Sequence, residues 1–332
     1  MPRFRISLCD CSSLLTRFIN WFEQSSVLYA LDYFVRRILG KVLVFFVYGL
    51  LSFITFVIVT IVLPFESLHK PQWLIYILCV TAVYFVFSII YYYQKACKTP
   101  PGSPKKKHAM PFCYRCQNHK PYNAHHCGIC GICVLDMGKS NCRKTFDYFM
   151  FSDHHCIWIN QCVGANNHRY FLQFIGFLAG GCLVFTLVAW PTFYKNYWGY
   201  TPNESFCGLQ ELSTLPWRNN FCKYGTEFVS TSIFFSYALA IVVFFLVGGL
   251  FWWNFSLISS GQTYIDFLQN GGERGCLRQV TWPFDSENFS NNWKRFLGLR
   301  NGRTFLCNIL LPSTHLPTTD DDMEDLTELV VV

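Results

Sequence analysis

Between residues 113 and 162 the chain gathers cysteine, histidine and aspartate at spacings that suit metal binding and thiol chemistry. The run contains Cys113 and Cys116, then His125, His126 and Cys127, then Cys130 and Cys133, later Asp153-His154-His155-Cys156, and finally Cys162. A Cys-x2-Cys turn brings two sulfurs onto one ion, and thiolates mixed with imidazoles at short spacing are a zinc signature. A closed tetrahedral site takes four ligands. The donors present are enough for two such sites and leave some residues over. A cysteine spared by the metals, beside a histidine and near Lys and Arg, is expected to have a lowered pKa and to act as a nucleophile.

The elements that must position this block are hydrophobic. Of 332 residues, 52% are hydrophobic, 19% aromatic and only 14% charged, where a soluble domain is nearer a quarter charged. That composition argues against disorder. Four uncharged apolar runs are long enough to cross ~30 Å of hydrocarbon. They cover residues 42–64, 72–94, 170–194 and 228–253. The expected fold is an α-helical polytopic membrane protein with four transmembrane helices. A small zinc-binding cysteine-rich domain, residues 95–169, lies between spans two and three. Residues 26–40 carry Leu28, Leu31, Val35 and Ile38 at helical spacing, as in an interfacial amphipathic helix closing the N-terminal segment 1–41. The alternative is the end of a longer first helix.

Charge sets the expected orientation. Lys and Arg number 23 in the N-terminal segment, the middle loop and the region 254–332, against 4 in the two remaining loops. The positive-inside rule then places both termini and the cysteine-rich loop in the cytosol, and the 195–227 loop in a lumen. That loop holds the sequon Asn203-Glu204-Ser205 and the pair Cys207 and Cys222, both suited to an oxidising compartment. A cytosolic location argues for metal over disulfides in the 113–162 block. No cleavable signal sequence is expected, because polar and charged residues interrupt the first 40 positions. The spans contain no Asp, Glu, Lys or Arg, which speaks against a transporter's ion path.

With these residues in view, the sequence resembles the DHHC family of protein S-acyltransferases, the palmitoyltransferases, over roughly residues 26–317. The resemblance rests on Asp153-His154-His155-Cys156, the cysteine-rich pattern 113–133, and Trp158, Asn160, Cys162-Val163-Gly164, Asn167 and Tyr170-Phe171. Thr99-Pro100-Pro101-Gly102, the stretch 292–298 and Leu311-Pro312-Ser313-Thr314-His315-Leu316-Pro317 point to one branch of that family. The resemblance implies one structural zinc on Cys113, Cys116, His126 and Cys133, and a second on Cys127, Cys130, His155 and Cys162. Cys156 is implied as nucleophile, His154 as its base and Asp153 as the group that orients the histidine. His125 is then a loop histidine. The implied reaction moves a palmitoyl group from palmitoyl-CoA to Cys156 and on to cysteines of cytosolic or membrane proteins, at the bilayer of the endoplasmic reticulum or Golgi. Juxtamembrane cysteines are the expected acceptors, and no nucleic-acid partner is expected. Lys105, Lys106 and Lys107 suit CoA phosphates or anionic lipid, or form a solvated run. Family elements beyond span four correspond to Thr263 and Asp266, and to Asn292 (or Asn291) with Phe296.

Gly180 and Gly181 lie mid-span three, ~16 Å down from Tyr170 at ~1.5 Å per residue. They suit either close helix packing or a cavity for the far end of an acyl chain. A larger departure from the family is the stretch 138–152, fifteen residues placed between Met137 and Asp153. A misplacement of ~1 Å can cost ~100-fold in rate, so the insertion supports an alternative reading: a catalytically impaired variant acting as a zinc-domain membrane scaffold. Gly138-Lys139-Ser140 can be encoded by a string containing GTAAGT, and Phe151-Ser152-Asp153 by one containing TTTTCAG. Those are the two ends of an intron, and its removal in frame restores Met-Asp-His-His-Cys. Transcripts sequenced across this junction should include the shorter form; only the longer form in active tissue would identify 138–152 as a genuine loop instead.

Overall fold

A computed structural model describes residues 34–102, 112–119, 124–135, 155–198, 206–208, 222–261, 289–299 and 302–315. Four helices among them are long and apolar enough to cross a membrane: Gly40–His69, Gln72–Lys98, His168–Trp198 and Gly225–Ser260. The chain is a multi-pass membrane protein.

Span one consists of α1 (Gly40–Val57), a π-helical stretch Ile58–Val62, and α2 (Leu63–His69). Span two is α3 (Gln72–Lys98), span three α4 (His168–Trp198) and span four the greater part of α5 (Lys223–Ser260). Pro71 directly precedes α3, where a missing N–H breaks no helical bond, whereas Pro64 lies within the continuous helix Gly40–His69, two residues past the π-helical stretch. The helices outrun the apolar windows, by four residues at the end of α3 and by two at the start of α4. Backbone hydrogen bonding continues into the polar flanks, so the windows mark hydrocarbon contact and not helix length. The described part of the expected interfacial helix, Phe34–Leu39, is helical and runs into α1 without a break. It is the end of a longer helix there, and residues 26–33 lie outside the described residues.

Span three packs against both span two and span four. Small residues allow the approach. A side chain on Gly176 would stand 2.8 Å from the Phe251 ring, and one on Gly180 3.2 Å from Phe85. Two apolar clusters fill the bundle. Val57, Ile61, Phe65, Phe185, Val229 and Tyr237 form one, sharing it with Cys207 and Cys222. Those two cysteines are joined as a disulfide. Nearby, buried Glu66 of α2 pairs with Lys70 and accepts a 2.7 Å hydrogen bond from Thr192 of α4. This carboxylate lies just beyond the uncharged window that ended at residue 64. At the opposite end Ile89, Tyr92, Tyr93, Phe171, Phe174 and Phe296 form the second cluster.

The cysteine-rich domain caps that second end. It consists of three antiparallel hairpins: β1 (Phe112–Cys113) with β2 (Asn118–His119), β3 (Ala124–Cys127) with β4 (Ile132–Leu135), and β5 (His155–Cys156) with β6 (Gln161–Cys162). Strands of two to four residues carry too little side-chain area to hold together unaided. Beyond α5 the helix α6 (Phe289–Phe296) lies against the end of α5. Gly261 closes α5 with φ of 67°, a left-handed conformation that glycine adopts without penalty. The Asn292 amide lies where a Cβ on Gly261 would sit, 2.9 Å from it.

Candidate active site and metal centres

Strand alternation sorts the cysteines and histidines. In β3, His126 and Cys127 are adjacent and so point to opposite faces. His126 is opposite Cys133 across the hairpin, and together with Cys113 and Cys116 they form one group of four. Cys127, turned the other way, joins Cys130, His155 and Cys162 in a second group. His155 and Cys162 face each other across the β5–β6 hairpin. Within each group the donor atoms all lie within 4.8 Å of one another.

The residues fit a tetrahedral metal. With Zn–S of ~2.3 Å and Zn–N of ~2.0–2.1 Å, tetrahedral edges are about 3.8 Å between sulfurs and about 3.6 Å between sulfur and nitrogen. The observed Sγ–Sγ separations are 3.6 Å for Cys130–Cys162 and 3.5 Å for Cys116–Cys133. From His155 Nδ1 the sulfurs of Cys127, Cys130 and Cys162 are 3.8, 3.3 and 3.9 Å away. From His126 Nδ1, Cys116 Sγ is 3.0 Å away. The electrostatics agree. Contact with Cys130 and Cys162 pulls the Cys127 thiol down, while contact with Cys127 and Cys130 pushes Cys162 up. Contact with Cys127 and Cys130 raises His155 to about 9, and burial with contact from Cys116 raises Cys133 to about 12. One thiolate forms at the expense of its neighbours, and a bound cation is what permits all to deprotonate together. Both groups could hold metal ions.

Cys156 is adjacent to His155 in β5 and therefore faces away from the metal group. It is 6% exposed and packs in the cluster of Ile89, Tyr93, Phe171 and Phe174, where spans two and three meet the domain. From its sequence neighbours this thiol is expected to have a lowered pKa. Among the described residues burial pushes the Cys156 thiol up, and the backbone N–H groups of Trp158 and Ile159 pull it down by less. The physical reason is that the apolar span ends disfavour a thiolate. Asp153 and His154, the residues implied to counter this, lie outside the described residues, as do Thr263, Asp266 and the stretch 138–152.

The turn beyond Cys156 is held from several sides. The hydroxyl of fully buried Tyr93, on α3, donates to the Trp158 carbonyl at 2.7 Å. Gln161 donates to the Thr99 carbonyl at 2.9 Å and also to that of Ala96. Asn167 accepts from Gly164 N–H at 2.8 Å and donates to the Cys162 carbonyl at 2.9 Å. Asn160 takes φ of 55°, and its amide lies against Gly40 so closely that a Cβ there would be 2.0 Å from Oδ1. Span one thus begins directly on the Cys156 turn. Sequence reasoning passed over Tyr93 and Gly40; the aromatic run Tyr91-Tyr92-Tyr93 at the end of an apolar window was the available signal.

Phe296 reaches the same cluster, with its ring 5.2 Å from that of His168 in an edge contact. Asn292 instead donates to the Ser259 carbonyl at 3.0 Å, at the end of α5. Gly180 and Gly181 face Phe85 and Ile89 of α3, whose side chains approach a Cβ position to 3.2–3.4 Å. Their lack of a side chain serves close packing, and an acyl chain at this level has to turn the Phe85 ring aside.

Comparison with known proteins decides the family. The family model described as DHHC palmitoyltransferase matches residues 106–271. Palmitoyltransferase ZDHHC16A of Danio rerio is 33% identical over 324 residues, covering 86% of this chain and 78% of its own length. The chain belongs to the DHHC palmitoyltransferase family. Palmitoyltransferase ZDHHC16 of Mus musculus is 32% identical and that of Homo sapiens 31%, each over 69% of this chain. The match spans 58% of the mouse protein and 60% of the human one, under two thirds of either. The branch to which Thr99–Gly102 and the stretches 292–298 and 311–317 pointed is the one numbered sixteen. The four-span fold with its cysteine-rich cluster between spans two and three is that of a DHHC protein, and the activity class is protein S-palmitoyl transfer. Nothing in the described residues favours a scaffold without catalysis.

The Tyr93 hydroxyl anchors the carbonyl two residues past Cys156. Tyr93→Phe keeps the ring and removes one buried hydrogen bond, so it should cost about 1–3 kcal/mol of stability, seen as a lowered unfolding midpoint in detergent. Gly40→Ala should also lower it, because a Cβ there meets the Asn160 side chain and has to displace it.

Proposed function

We propose that this chain transfers a long-chain acyl group, palmitoyl first among them, from acyl-CoA to protein cysteines through an acyl-Cys156 intermediate. The observation that carries this reading is the position of Cys156. Its strand turns the neighbouring His155 into a metal group and leaves Cys156 free, buried where spans two and three meet the domain. The thioester of a membrane-held acyl chain reaches that depth without the chain leaving the apolar phase.

His154 takes the proton of the Cys156 thiol, and Asp153 holds the imidazole in the orientation that lets it do so. The Cys156 sulfur attacks the acyl carbonyl, the C–S bond to CoA breaks, and the CoA thiolate leaves and receives the proton. A protein cysteine then attacks acyl-Cys156, taking the acyl group and returning Cys156 to the thiol. One thioester replaces another at each step, so the enzyme's task is positioning rather than driving force.

Two zinc ions are the metals we assign to Cys113, Cys116, His126 and Cys133, and to Cys127, Cys130, His155 and Cys162. Four-ligand closure makes them structural. The acyl chain runs toward Gly180 and Gly181 with Phe85 turned aside. Residues 95–169 act as the catalytic domain, facing the cytosol with both termini, in the endoplasmic reticulum or Golgi. The Lys and Arg distribution supports that orientation, and so does the Cys207–Cys222 disulfide at the other end of the bundle.

The purified chain incubated with labelled palmitoyl-CoA should take up hydroxylamine-sensitive label at one residue and contain two zinc ions. Cys156→Ser should lose the label and keep the zinc; label surviving in that variant would overturn the reading. In the same assay Gly181→Phe should shift the preferred acyl length below sixteen carbons, and an unchanged length profile would place the chain elsewhere.

A further inference from the structure

After α6 the chain turns at Gly298 and Gly302, both with positive φ, and forms a helical turn over Leu306–Leu310 before running on through His315. This segment rests on spans two and three, and its backbone carbonyls are taken up by side chains of those spans. Tyr92 and Gln173 both donate to the Ile309 carbonyl at 3.0 Å, and Tyr84 donates to that of Leu310 at 2.9 Å. Tyr170 donates to the Thr314 carbonyl at 2.9 Å.

Depth follows from position along the helices. Gln173 is three residues inside the span-three apolar window and Tyr92 two residues inside the end of the span-two window, about 3–5 Å below the apolar edge at ~1.5 Å per residue. Tyr84 is deeper still. Irregular backbone at such depth survives where protein groups satisfy it, as they do here. Phe305, Leu306, Leu310 and Leu311 are exposed alongside, an apolar edge suited to lipid.

The contact at the centre is Arg169, fully buried in the first turn of α4. No carboxylate pairs with it among the described residues. Its guanidinium donates to the Ser313 carbonyl at 3.0 Å and to Ser313 Oγ at 3.3 Å, lies 3.0 Å from the His315 ring, and stacks 4.6 Å from the Tyr170 ring centre. His315 Nε2 in turn donates to the Leu297 carbonyl at 2.8 Å, and Leu297 shares the Cys156 cluster. A buried guanidinium keeps its charge, so losing these partners is costly.

We propose that residues 304–315 are a re-entrant latch seated on spans two and three, and that Arg169 is the positioning residue through which the latch fixes Cys156. Arg169 follows the metal-group residue Cys162 by seven positions, and Asn167 makes the link between them rigid. The catalytic half of this proposal rests on Cys156 being the nucleophile; the latch itself does not.

The test uses the full chain in lipid nanodiscs, with hydrogen–deuterium exchange over 304–315 read beside the kinetics of acyl-Cys156 formation. Wild type should exchange slowly in that segment. Arg169→Met should raise exchange there and lower kcat, each about tenfold, with KM for palmitoyl-CoA within twofold and zinc content unchanged. Arg169→Lys should recover part of the rate. His315→Ala should act in the same direction and add little in the double variant. Fast exchange in wild type, or exchange and kcat unchanged in Arg169→Met, overturns the proposal. Should Arg169→Met lose its zinc, His315→Ala decides by the same two readouts. Wild type without acyl-Cys156 would sink the catalytic reading, while the exchange data would still judge the latch.

Discussion

The cysteine-rich end depends on one constraint: eight sulfur and nitrogen donors drawn into two groups of four. Among the described residues the three short hairpins have little core of their own beyond Val134 packed with Cys127 and Cys162. Their thiols cannot all ionise side by side without a cation, and a bound cation both permits that ionisation and ties the hairpins together. The β3–β4 hairpin contributes to both groups because His126 and Cys127 point to opposite faces. The same two-residue period in β5 gives His155 to the metal group and turns Cys156 toward the spans. The metal group and Cys156 are thus separated by strand geometry alone.

The spans supply the other half of the arrangement. Their ends form the apolar floor on which Cys156 lies, and burial there raises the thiol's pKa. On the proposed reading, activation of this thiol has to come from specific neighbours, since its burial opposes a thiolate. On the same proposed reading, the floor is also what brings Cys156 to the level of a membrane-held thioester. Tyr93 from span two, Gly40 from span one and Phe296 from α6 all meet the Cys156 turn or its cluster. Three elements remote in sequence converge on this turn and its cluster.

Much of this was legible in the sequence. Uncharged runs long enough to cross hydrocarbon have few other uses, so span number and order were readable. Metal ligands announce themselves because Cys-x2-Cys turns and His-Cys neighbours are rare outside such sites. The helix ends were less legible, since helical hydrogen bonding continues past the membrane edge. Gly180 and Gly181 were ambiguous for a related reason. A missing side chain leaves room, and the sequence does not say that Phe85 fills it.

The sequence by itself determined the four spans and a cluster with more sulfur and nitrogen donors than two metal sites need, because both follow from residue type and spacing along the chain; that Cys156 is the cysteine spared is what the family resemblance implies. Only the tertiary structure decided what surrounds that cysteine. The burial of Cys156, the hold of Tyr93 on its turn, and the seat of Leu306–His315 around Arg169 all come from contacts between distant segments. A hydroxyl or guanidinium carries no mark of its partner in the sequence; the partner is chosen by which helix faces come together when the bundle packs.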